Sequence, residues 1–294
     1  MIQILRDAGL SALVDPNRKL TTPAGGFQFT EGPLELRDGS LLFQDIKAER
    51  TYRLDSAGVT HVLRESTGAA NGQTFLHDGR IVFCEQNGRR VSTMNPDGSD
   101  VRTLVETWEG KRLNSPNDVV CRSDGMIVFT DPPYGAPPDR PLSFQAVFAI
   151  KKDGSMSILA DDFEKPNGLA FSPDEKTLYV CDTARYHVRA FDVQPDGSLT
   201  AGRTFATMDP GVPGGPDGMK VDRDGRVYVA VALGIWVYEP DGKLLGILAT
   251  PKRPANLAWR GPGGRILAVT AVDQVHEVRL NVQGLLPVFG NAGS

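Results

Sequence analysis

One pattern, written six times along the chain, constrains the fold more than any other feature. Its clearest copy is DGMKVDRDGRVYVAV from Asp217: a polar residue, an alternating strand, an Asp-Gly turn and a second, apolar strand. Asp-Gly between two such runs is a strong hairpin signal, because the turn needs a positive φ that Gly and Asp tolerate. The other copies begin EGPLELRDGS at Glu31, NGQTFLHDGR at Asn71, NDVVCRSDGM at Asn117, NGLAFSPDEK at Asn167 and, more loosely, NLAWRGPGGR at Asn256. The leading residues are 40, 46, 50, 50 and 39 positions apart, and the turn begins seven residues after each of them. Repeats of this period with about four strands each are the signature of a propeller. The expected fold is therefore all-β, a six-bladed β-propeller.

After each inner hairpin comes an outer one, such as TYRLDSAGVTHVL, VFAIKKDGSMSILAD and IWVYEPDGKLLGILA; VHEVRLNVQGLLPV, with a weaker turn, is expected to end the sixth blade. The segment TTPAGGFQF offers a strand that pairs with the last blade and closes the ring, removing bare strand edges. Residues 1–20 read as an arm or a short helix. No linker or composition break separates the copies, so residues 1–294 are expected to form one propeller domain.

If the hairpins repeat in register, the six leading residues start equivalent strands and converge at one end of a central channel. Any one Asn or Asp there is ordinary turn chemistry. Six together, one of them a Glu, are not. Two carboxylates with amide oxygens make a hard, all-oxygen site suited to Ca²⁺ or Mg²⁺. The ring holds no His or Cys, so it does not indicate a typical zinc site. The proline-rich connection DPPYGAPPDRPLS carries Tyr134 directly after a strand end and is expected to wall a pocket. His61, His77, His187 and His276 fall on or beside hairpins, where surface or packing roles are expected.

A formal charge of −4 gives no basic footprint for nucleic acid. No apolar run reaches the length of a membrane span, and the opening MIQILRDAGLSALVDPNRKL has no apolar core of a signal peptide; a cytoplasmic location is the expectation. The three cysteines, Cys84, Cys121 and Cys181, lack metal-type spacing and read as reduced, packed thiols.

The phrases FTEGPLEL, SPNDVV…FTDPPYG, KPNGLAFSPDEKTLYVCDT and GGPDGMKVDRDGRVYVA resemble those of the SMP-30/gluconolactonase/LRE family, which relates to diisopropylfluorophosphatase. The similarity runs from about Gly26 to the sixth blade. It implies a single catalytic divalent cation, Ca²⁺ first and Mg²⁺, Mn²⁺ or Zn²⁺ as alternatives, held by Glu31, Asn167 and Asp217. Asn117 would be a metal or substrate contact, with Asn71 and Tyr134 further candidates for the substrate. Some animal members carry an Arg two residues before that Asn; this chain has Ser115, as in the microbial SPND…TDPPYG pattern. The implied activity is opening of a lactone, a sugar lactone such as gluconolactone first. The cation would polarise the carbonyl, and Asp217, the ring's only short carboxylate, would serve as general base or nucleophile. Phosphotriester or aryl-ester hydrolysis on the same site, and a non-catalytic binding propeller, are the alternatives. The expected partner is a small-molecule lactone or ester, with no nucleic acid or membrane, in a monomer or small homo-oligomer.

Overall fold

The computed structural model describes residues 2–15 and 18–287. Six antiparallel sheets are arranged as the blades of a propeller, each beginning on the strand nearest the axis. The inner strands are Thr30–Glu35, Ala70–Phe75, Val119–Cys121, Pro166–Phe171, Met219–Val221 and Asn256–Arg260, which open blades 1 to 6 in that order. Helical structure among the described residues is limited to two short 3-10 turns, Leu10–Leu13 and Pro262–Gly264.

The apolar runs in the second strands follow from the way blades stack. In Ile81–Glu85, Ile81 and Phe83 join a core with Leu34, Leu36 and Leu42 of blade 1, whereas Val82 and Cys84 join one with Val119, Phe129 and Phe148 of blade 3. Successive side chains leave opposite faces of a strand, so a strand between two neighbours must be apolar on both. A buried apolar cluster fills each of the six seams between blades. Cys84 and Cys181 are packed into these seams as free thiols, and Cys121 is a partly buried free thiol.

Closure falls to the N-terminal segment. Thr21–Gly25 pairs antiparallel with Gln274–Arg279 and supplies the fourth strand of blade 6. That corrects the expected outer hairpin in VHEVRLNVQGLLPV, whose last residue lies outside the described chain. The edge is already taken, so after Arg279 the chain leaves the sheet, bridging Val14 at Leu280 and Asp222 at Gly284. The arm also does more than precede the ring: Ile4–Leu5 adds a fifth strand to blade 5 against Leu248 and Ile247. Leu10 and Val14 fill the seam between blades 5 and 6.

In blades 1, 2, 3 and 5 the inner turn is one residue longer than a two-residue Asp-Gly hairpin. In blade 1 the Leu36 N–H donates to the Ser40 carbonyl, Gly39 alone takes a positive φ of 81°, and the Ser40 N–H donates to the Asp38 carboxylate at 2.9 Å. This is a three-residue loop with glycine in the left-handed position, and the Asp acts through its side chain, not through a positive φ.

Candidate functional site

The backbone places the ring residues by two devices. In blades 1, 2 and 4 the inner strand bulges where the ring residue sits, between Glu31 and Leu34, Ala70 and Gln73, and Pro166 and Leu169. A bulge breaks the two-residue alternation and re-aims a side chain, here toward the axis. The second device is the glycine that follows a ring residue. A Cβ on Gly168 would lie 2.3 Å from the Asp217 carbonyl oxygen, and one on Gly32 would lie 2.0 Å from that of Asn71. Without side chains the strands approach closely enough to bond across blades: the Gly168 N–H donates to Asp217 O at 3.0 Å and the Gly72 N–H to Asn117 O at 2.8 Å.

Buried carboxylates pin the loops that enter the ring. Asp131 accepts the N–H groups of Asn114 and Ser115 at 2.8 and 2.7 Å, and Asp182 those of Glu164 and Lys165 at 2.9 and 3.0 Å. Asp45 does the same for Gln28 and Phe29. Asp45, Asp131 and Asp182 stand in register at the ends of the second strands of blades 1, 3 and 4, with Glu85 in that place in blade 2; the sequence reading, built on the leading residues and the turns, gave them no role.

Glu31, Asn71, Asn117, Asn167 and Asp217 line one pocket at the channel mouth, a cavity of about 450 Å³. Asn256 stands in the ring by register but not in this lining. Its Oδ1 accepts the Leu257 N–H at 2.8 Å, and its side chain hydrogen-bonds Glu31 and Asp118 below the floor. The amide is occupied holding carboxylates apart. Tyr134 does wall the pocket; its hydroxyl accepts from Asn167 Nδ2 at 3.3 Å, while the same nitrogen reaches Thr183 Oγ1 at 3.0 Å. Ser115 anchors that wall, its hydroxyl accepting the Gly135 N–H at 2.8 Å. The connection before Asp217 contributes Gly214 and Gly215. His61 bonds Asp55, His276 is buried against Thr22, and among the described residues no histidine lines the pocket.

Sequence reasoning missed the rim. Lys165, Tyr186 and Arg253 line the pocket above the ring. Arg253 sits three residues before a ring position, where blade 5 has Gly214, so aligning the six copies upstream of the ring would have exposed it. It also missed Asp118, a third buried carboxylate beside the ring.

Electrostatically the floor is only partly compensated. Burial raises the pKa of Glu31 well above the usual carboxylate range, and the facing charge of Asp217 adds to it. Asp217 is pushed up to about 7 by burial, partly opposed by Arg253 and by a hydrogen bond from Asn167. Burial also raises Asp118, with Lys220 pulling it down. Asn71 Oδ1 is buried without a hydrogen-bond partner. Among the described residues no group of three or more His, Cys, Asp or Glu is placed to hold a metal ion, so a cation here would need amide oxygens beside the two carboxylates. The donors present meet that need: two crowded carboxylates and the amides of Asn117 and Asn167 fit a hard divalent cation, with the orphaned Asn71 oxygen beside them.

The model of the SMP-30/gluconolactonase/LRE-like region matches residues 29–273. The chain belongs to this family. A gluconolactonase from Zymomonas mobilis is 31% identical over 303 residues, covering 94% of this chain and 85% of that protein. A pentonolactonase from Haloferax volcanii is 26% identical, over 82% of this chain and 80% of its own. Among solved structures, a gluconolactonase from Xanthomonas campestris superposes with a TM-score of 0.87 at 33% identity, covering 95% of each chain.

Proposed function

We propose that this family member is a lactone hydrolase that opens a sugar lactone in the channel-mouth pocket with the help of one divalent cation. The observation that carries the reading is the convergence of Glu31, Asn71, Asn117, Asn167 and Asp217 on one buried, polar floor. Lactonases among the similar proteins support the reaction class.

Glu31, Asn167 and Asp217 would hold the cation, with Asn117 as a further ligand, and Ca²⁺ is the first choice for so oxygen-rich a set. Such a cation supplies Lewis-acid polarisation of the lactone carbonyl. Asp217 takes the proton from the attacking water. Burial makes Asp217 more basic than an ordinary carboxylate, up to about 7 without a metal, and the cation it helps to hold would lower that value. Tyr134, fixed through Asn167 and the Ser115-anchored loop, offers a rigid aromatic face and a hydroxyl to orient the sugar ring. Asn71, with its free amide oxygen, is placed to accept from a sugar hydroxyl.

A substrate screen tests the proposal. Sugar lactones, aromatic lactones and aryl esters, and phosphotriesters are offered to protein loaded in turn with Ca²⁺, Mg²⁺, Mn²⁺ and Zn²⁺. Sugar lactones should give the highest kcat/KM. Phosphotriester hydrolysis without lactone hydrolysis would move the chain to the phosphotriesterase alternative, and inactivity on every class would leave a binding propeller.

A further inference from the structure

The pocket is layered by charge. Its floor is anionic, Glu31 and Asp217, and its rim is cationic, Lys165 and Arg253, with Phe29, Ile46, Tyr134 and Tyr186 filling the wall. Among the described residues no carboxylate apart from the two on the floor lines it.

Both cations are positioned rather than loose. The Lys165 backbone is pinned at both ends: its N–H donates to Asp182 at 3.0 Å, and its carbonyl accepts the Thr183 N–H at 3.0 Å. From there the ammonium reaches over the Tyr134 ring, 5.7 Å from its centroid, and among the described residues it forms no ion pair. Arg253 comes from the entry to blade 6, two blades on. Its guanidinium has room because residue 214 is glycine: a Cβ there would stand 3.0 Å from Ala232 and 3.2 Å from Arg253 Nε. Its nearest carboxylate oxygen is Asp217 Oδ2 at 3.6 Å, an ion pair too long for a hydrogen bond, and the side chain is 46% exposed. Two cations with donors to spare therefore face the pocket above its floor.

We propose that the pocket takes a lactone bearing a second, acidic group, a carboxylate or a phosphate, and that Lys165 and Arg253 grip that group at the rim. This rests on the lactonase reading above. The ester carbonyl goes to the floor, and the substituent farthest from it reaches the rim, where the two cations match an anion in charge and in donor number. A neutral sugar lactone makes the floor contacts only. Two partly exposed charge contacts correspond to a preference of about 10-fold, and one that weakens with salt because the rim is open to water.

The test reads binding, so it does not depend on turnover. Calorimetry at fixed free Ca²⁺ and low salt compares three sugar acids, the ring-opened forms: gluconate with one carboxylate, glucarate with two, and 6-phosphogluconate with a phosphate. Either or both of the doubly acidic compounds should bind about 10-fold tighter than gluconate, and the tighter of the two names the group. That advantage should shrink in Lys165→Gln and in Arg253→Gln, vanish in the double variant, and fall at 0.5 M NaCl. Equal affinity for all three acids, or an advantage that survives the double variant, overturns the proposal. Hydrolysis of neutral gluconolactone, measured on the same preparations, reports separately on the lactonase reading. Its absence with a retained preference for the doubly acidic compounds would sink that reading and leave the rim standing as an acid-binding site.

Discussion

At one mouth of the channel the inner strands present Glu31, Asn71, Asn117, Asn167 and Asp217. A few residues further along, the same strands present Leu34, Val120, Phe171, Val221 and Trp259 around a second cavity of about 140 Å³ at the other mouth. The backbone that builds both is one repeated hairpin, so the difference lies in what each position asks of a side chain. At the first mouth the strands are bulged and glycine-spaced, which aims polar groups at a shared point and leaves carboxylates crowded. At the second the strands are regular and the side chains pack: Trp259 is 2% exposed, meets Tyr228 edge to face at 4.9 Å, and donates its Nε1–H to Val221 O at 2.9 Å. One end concentrates unfavourable electrostatics that a ligand can relieve, and the other contributes stability. Strain of this kind is expected where function resides.

Substitutions at the two ends should therefore separate turnover from stability. The largest effect on turnover is expected for Asp217→Asn, which keeps an oxygen for a cation but loses charge and basicity. Hydrolysis should fall by about 10²-fold or more, the scale of acid–base catalysis, and excess metal should not restore it. Asn167→Ala, which removes an oxygen and no base, should be rescued in part by metal. Steady-state rates with bound metal measured alongside distinguish the two, and near wild-type turnover in Asp217→Asn at saturating metal would reduce that residue to a ligand.

Next comes Gly168→Ala. The added Cβ would sit 2.3 Å from Asp217 O, so blades 4 and 5 must part at the ring. A shift approaching 1 Å there should cost on the order of 10²-fold in kcat/KM, with overpacking lowering stability by about 1–3 kcal/mol. An Ala variant with unaltered kinetics would show that ring spacing is not what the glycine provides.

How much of this could be read from the sequence follows the repeat. Six blades, six ring positions and closure by the segment around Thr21 were legible, because period-two strands and turns recur in register. Arg253, Lys165 and Tyr186 were not read, since the rim comes from connections outside the hairpin pattern, which differ from blade to blade. Asn256 shows the opposite failure: register put it in the ring, but only the hydrogen bonds reveal that its amide serves Glu31 and Asp118 below the pocket. The three-residue inner turns and the missing outer hairpin of blade 6 were also beyond local pattern, the latter because its partner strand lies at the other end of the chain.

A smaller effect is expected from pH. In the folded, metal-free chain Asp217 titrates at about 7, against 3.8 for its ordinary value. Between those values the folded state holds a proton that the unfolded state has lost. Metal-free stability should therefore fall as pH rises through that window, and Asp217→Asn should flatten the slope. A divalent cation competes with this proton and with the one that burial holds on Glu31, so its affinity should fall by about tenfold or more per pH unit below pH 7. Thermal melts and calorimetric metal titrations at pH 5.5, 6.5 and 7.5 check both signs.

The smallest effect on turnover belongs to the far mouth. Trp259→Ala should lower stability by about 3 kcal/mol or more, as for other buried aromatic truncations, while kcat at 25 °C stays within a few-fold of wild type. A collapse of kcat in a variant that remains folded by circular dichroism would mean that the two mouths are coupled, and the contrast between them would fail.

The central claim is that the polar floor works by holding one divalent cation, and occupancy tests it most directly. Protein stripped by chelation and verified metal-free is titrated with Ca²⁺ while bound ion per chain, melting temperature and lactone turnover are followed on the same samples. The account predicts turnover near zero at the start, rising in proportion to occupancy up to one ion per chain, with a melting temperature that climbs in step because the ion binds only the folded state. Full turnover in the verified metal-free protein, or saturation of binding with no gain in rate, would contradict it.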